Sequence, residues 1–124
     1  MAIKISLESV KIPVEIGDLK YEIDVTDEKY EAFIKNFNEF LTKVETLNKE
    51  SSEDTILLKS MVSEVYEELL GKGSYEAIYA KMPNIGFVSA TLVKIVTQLM
   101  QEMEQRITAK SAVKVVPKKQ GKKK

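Results

Sequence analysis

Three adjacent acid pairs, Asp27-Glu28, Glu53-Asp54 and Glu67-Glu68, are the residues whose type and spacing could hold a divalent cation or serve as acid and base. Two of the pairs stand where amphipathic helices should begin. There the positive end of the helix dipole is reason enough for them, and Glu67-Glu68 reads as a solvated face. The hydroxyls of Ser74 and Ser89 would need a neighbouring base to become nucleophiles, and the 124 residues contain no histidine and no cysteine. Those two absences also remove disulfides, thiolate metal ligands and imidazole general bases. "GKGSY" at 71–75 has the flavour of a phosphate loop, but no GxxxxGK[ST] pattern occurs, and a helix stop followed by a helix start explains it. No catalytic, cofactor-binding or metal-binding residue is therefore assigned, and a non-enzymatic role is expected.

What the chain does offer is apolar surface. Near the C-terminus Ile85, Val88, Leu92, Ile95, Val96, Leu99, Met103 and Ile107 fall on one side of a helix beginning near Asn84. Val93 and Met100 widen that stripe to an arc of roughly 160°, and Phe87 stands outside it. This is more than a lone helix of a small domain usually hides, so Phe87, Val93, Met100 and Met103 are the candidate protein-binding residues, facing a partner or a second copy of the chain. Met82, Met100 and Met103 could line an adaptable groove, since thioethers suit irregular partners. Ordinary core packing competes with that role, most of all for Met103 in mid-stripe.

The elements that would position this helix are legible upstream. Val10, Ile12, Val14 and Ile16 alternate with other residues, as do Leu19, Tyr21, Ile23 and Val25, on either side of Gly17-Asp18. A two-residue turn there sets 16 opposite 19, 14 opposite 21, 12 opposite 23 and 10 opposite 25, with all eight apolar side chains on one face. Glycine at the first central position suits a type II′ turn, and Pro13, which lacks an N–H, marks an edge strand. Ile3, Ile5 and Leu7 alternate with the other parity, so a break near Glu8-Ser9 would let them add a third strand. Thr26 caps a helix carrying Tyr30, Phe33, Ile34, Phe37, Phe40, Leu41, Val44 and Leu47 at spacings of three and four. Ser51 or Ser52 caps a second with Leu58, Met61, Val62, Val65, Tyr66, Leu69 and Leu70, stopped by Gly71. A short third helix is expected from Ser74 to about Lys81, ended by Pro83.

The formal charge of zero hides a division. Residues 109–124 hold 7 lysines and no acid, leaving the first 108 with 12 bases against 19 acids. An aperiodic like-charge run with Pro117 and Gly121 is expected to form a flexible tail, so the domain reading is one α+β domain over 1–108 and a lysine-rich tail over 109–124. The fold expected is an N-terminal β-hairpin, with or without the third strand, packed on three to four α-helices. No apolar run reaches the eighteen or so residues of a membrane span and the start does not resemble a signal peptide, so a soluble, cytoplasmic protein is expected. The tail could bind phosphates by counterion release, but the body is acidic and no aromatic residue is interleaved with the lysines, which argues against nucleic-acid recognition.

The order of parts, "IPVEIGDLKYEIDV" passing into "TDEKYEAFIKNFNEFL" and then "DTILLKSMVSEVYEELLGKGSYEAIY", resembles the small tail assembly chaperones encoded by long-tailed bacteriophages and prophages of Gram-positive bacteria. The resemblance covers roughly Val10 to Ile107 and consists of architecture, with no ligand or catalytic signature to transfer. It implies an α-rich fold without enzymatic activity, self-association into a homo-oligomer, a place in the cytoplasm of the bacterial host, and binding to the tape measure protein while tail tube protein subunits assemble around it. It also implies a longer frameshifted product, with which the terminal "GKKK" is compatible. The rival reading is a small nucleic-acid-associated regulatory protein that uses its basic tail.

Overall fold

A computed structural model describes residues 2–48 and 50–115, the side chains as far as 107. The fold is α+β. Strand β1 (Lys11–Ile16) and strand β2 (Leu19–Asp24) precede helices α1 (Asp27–Val44), α2 (Ser52–Leu70), α3 (Ser74–Lys81) and α4 (Ile85–Val115). The chain divides into two units, Met1–Val88 and Ser89–Lys124.

In the first unit the hairpin has the register that its alternation demands: Ile12 opposite Ile23, Val14 opposite Tyr21, Ile16 opposite Leu19. Gly17 takes φ +61, the left-handed backbone that a two-residue turn needs at this position and that other residues adopt reluctantly. One face is covered, with Ile12, Ile23 and Val25 buried, while the charged residues between them face water. Asp18 at the tip is tied to Lys81 at the end of α3 by an exposed ion pair of 3.2 Å.

The sheet has two strands among the described residues, so the third strand offered by Ile3, Ile5 and Leu7 does not form. The reason lies in backbone phase. The Val25 N–H donates to the Val10 carbonyl at 2.8 Å, so Val10 and every second residue after it turn their backbone groups toward β2. A tight turn at Glu8-Ser9 would need those same groups of Val10 facing the other way. The outward groups of β1 belong instead to Lys11, Pro13 and Glu15. Lys11 has both of its own engaged by the Ser9 hydroxyl, at 3.1 and 3.2 Å, and Pro13 has no N–H to give.

Thr26 precedes α1 as expected, but its hydroxyl does not cap the helix. Both its N–H and its hydroxyl donate to Asp24 Oδ1 at 2.9 Å, and these bonds hold the Asp24 carboxyl below the usual range. Ser51 does cap α2, accepting from the Asp54 N–H, and the Asp54 carboxylate accepts in return from the Asn48 N–H at 2.6 Å. Gly71 at φ +106 closes α2 and Gly73 at φ +87 opens α3, which accounts for "GKGSY" without a phosphate.

Packing converges on α2, which touches α1, α3 and β2. From α1 come Phe33, Phe37 and Phe40, all buried and stacked in sequence with ring centroids 5.8 Å apart. From α2 come Val62, Val65, Tyr66, Leu69 and Leu70. The second unit is the continuation of α4, in which Leu92, Val96 and Leu99 are buried. Of the lysine-rich tail expected over 109–124, residues 109–115 contribute backbone to α4 and 116–124 lie outside the described residues. Truncating the middle ring of the stack, Phe37→Ala, should lower unfolding free energy by about 3–4 kcal/mol, read as a fall in urea midpoint at unchanged m-value.

Candidate protein-binding site

The acid pairs take structural places. Asp27 and Glu28 lie exposed in the first turn of α1, and exposed Glu53 and half-buried Asp54 lie in that of α2. Glu68 accepts from Asn36 Nδ2 at 3.0 and 3.3 Å, joining α2 to α1, while half-buried Glu67 reaches the Gly73 N–H at 3.5 Å rather than standing in solvent as the sequence pattern suggested. No group of three or more acids that could hold a metal ion is found among the described residues. Ser74 donates its hydroxyl to the Tyr66 carbonyl at 3.0 Å, and Ser89 Oγ is buried with no hydrogen-bond partner, so neither meets a base. A groove of about 210 Å³ between α1 and α2 is open to solvent and edged by Asn36, Glu39, Lys43, Glu64 and Glu68.

The start of α4 is fixed from below. Asn84 Oδ1 accepts from the Phe87 N–H at 3.0 Å, and the Tyr66 hydroxyl donates to the Val88 carbonyl at 2.7 Å. Burial, with the neighbouring Tyr75 ring as the lesser cause, pushes the Tyr66 phenol far above the ordinary tyrosine range. Tyr75 lies 6.2 Å from the Tyr66 ring and stacks on Tyr79 at 5.7 Å, whose face carries Lys59 Nζ at 5.5 Å. This cluster is structural: its one buried hydroxyl is already engaged.

Of the four candidate residues, Val93 and Met100 come together. They are seven residues apart, about 20° in helical phase, and both are exposed beside the buried Leu92, Val96 and Leu99. Met103 is half-buried on the same side. Phe87 is also exposed and belongs to the first unit. Sequence reasoning placed Ile107 in the apolar stripe of this helix without naming it among the candidate residues. At 43%, 48% and 63% exposed, Val93, Met100 and Ile107 form a seam repeating every seven residues. The spacing was visible in the sequence; which edge of the broad arc would stay uncovered was not.

Comparison with family models, with curated proteins and with solved structures finds no match. No helix among the described residues is long and apolar enough to cross a membrane.

Removing the Tyr66 hydroxyl, Tyr66→Phe, should cost about 1–2 kcal/mol in urea unfolding at neutral pH. Because the folded phenol is raised above its unfolded value of about 10, its contribution is complete below that pH and is lost as pH climbs past it. Tyr66→Phe should therefore flatten the alkaline fall in stability, with a residual slope from Tyr30 and Tyr75, which burial also raises.

Proposed function

We propose that this protein is a non-enzymatic tail assembly chaperone of a long-tailed phage or prophage, working in the cytoplasm of the bacterial host. It binds the tape measure protein and keeps it soluble while the tail tube protein assembles. The observation that carries this reading is the exposed seam of Val93, Met100 and Ile107 along α4. A seven-residue apolar repeat is the surface along which a second helix can pack, with exposed Lys94, Thr97 and Glu104 on its outer side keeping the free protein in solution. A tape measure protein is a long helical chain whose apolar stretches need reversible cover before the tube closes over them, and a helix laid in register on such a seam supplies it. The order of hairpin and helices supports the same reading through the resemblance described above.

The seam can be tested without disturbing the buried side of α4. Val93→Asp with Met100→Asp should leave circular dichroism unchanged and weaken binding to tape measure segments by about a hundredfold, each site supplying roughly 1–2 kcal/mol. Co-expressed tape measure segments should then move from the soluble to the insoluble fraction. Undiminished binding by the double variant would overturn the assignment, as would binding of nucleic acid in place of tape measure segments that vanishes when residues 109–124 are removed.

A further inference from the structure

Residues 2–9 take no helix or strand, yet they are built like a strand. Ile3, Ile5 and Leu7 alternate with Lys4, Ser6 and Glu8, and the three apolar side chains are 88%, 80% and 95% exposed. The edge of β1 that adjoins this arm is obstructed at two of its three outward positions, since Ser9 engages the outward backbone groups of Lys11 and Pro13 lacks an N–H. The edge of β2 is different. With Ile12, Val14 and Ile16 exchanging bonds with Ile23, Tyr21 and Leu19, the outward backbone groups of β2 belong to Lys20, Glu22 and Asp24, and no proline interrupts them. The arm enters β1 directly through Ser9 and Val10, so to reach the far side of β2 in its own chain it would have to cross the base of the hairpin within two residues.

We infer that the arm forms a strand on the β2 edge of a second copy of this chain, and reciprocally, so that two copies exchange arms. Charge and hydropathy select an antiparallel register. Setting Lys4 opposite Asp24, Ser6 opposite Glu22 and Glu8 opposite Lys20 pairs opposite charges at both ends of the outer face. The same register lays Ile3 beside Val25, Ile5 beside Ile23 and Leu7 beside Tyr21 on the covered face, where Tyr21 is only half-buried. A slip by one residue would send all three apolar side chains into water. The exchange is closed by a two-fold axis and stands apart from the function proposed above, since it uses neither α4 nor any foreign partner.

The chain has no cysteine, so a designed pair reports unambiguously. Ser6 and Glu22 would face each other as a hydrogen-bonded pair with Cα atoms about 5.5 Å apart, inside the range a disulfide spans. The 124-residue chain carrying Ser6→Cys and Glu22→Cys should form a covalent dimer under mild oxidation, whereas Ser6→Cys with Glu15→Cys, which probes the β1 edge, should form at least tenfold less. Deleting residues 2–7 should convert the dimer to monomer in sedimentation with circular dichroism unchanged. A monomeric parent, a cross-link within one chain, equal cross-linking to the β1 edge, or a dimer that survives the deletion would each overturn the exchange.

Discussion

A tyrosine withdrawn wholly from water must find a partner for its hydroxyl, and the partner Tyr66 finds is the backbone of another helix. Its ring fills the centre of the first unit, its hydroxyl reaches the Val88 carbonyl in the first turn of α4, and its own carbonyl accepts from Ser74 at the first residue of α3. One residue thus meets the starts of two helices, that of α4 through its side chain and that of α3 through its backbone. An apolar residue of the same size could fill the space and keep the carbonyl that meets Ser74, but it would not specify the start of α4, so the phenol oxygen contributes uniqueness as well as energy. Around it the Phe33, Phe37 and Phe40 stack and the buried face of the hairpin supply the bulk of the apolar cover.

Among the exposed apolar side chains, two groups behave differently. On α4 the exposed seam is rigid, held on a helix of 31 residues, about 46 Å long at 1.5 Å per residue. On residues 3–7 it is carried by a segment without regular structure of its own. A preformed helix face loses little freedom on meeting a partner, whereas an arm must be ordered as it binds and gives up part of its interaction energy in doing so. The two surfaces therefore suit different tasks, a reversible grip along a helix and a slower, more exacting pairing along a strand edge.

Much of the fold was readable because each local signal had one physical solution. Gly17-Asp18 with period-two flanks permits one register, and Ser51 and Gly71 leave little choice over where α2 begins and ends. The misses came where a residue type has two uses. Thr26 can cap a helix or bond to the preceding turn, and the nearby Asp24 carboxylate won its hydroxyl. Alternation at Ile3, Ile5 and Leu7 announces a strand but not its partner, and only the backbone phase of β1 rules out the near edge. On α4 the broad arc was evident, but an arc does not say which of its sides stays open, so the continuation of the exposed seam to Ile107 was not legible.

Pro13 has a consequence beyond marking an edge. A two-stranded ribbon with both margins free is a template that can add chains without end, and short ribbons rich in isoleucine and valine are the kind of segment from which fibrils grow. With a ring nitrogen at the middle outward position of β1 and the Ser9 hydroxyl occupying the position before it, polymerisation has a dead end on that side. Growth by strand addition is left one direction, outward from β2. A single imino acid thereby removes one of the two margins along which such a ribbon could grow.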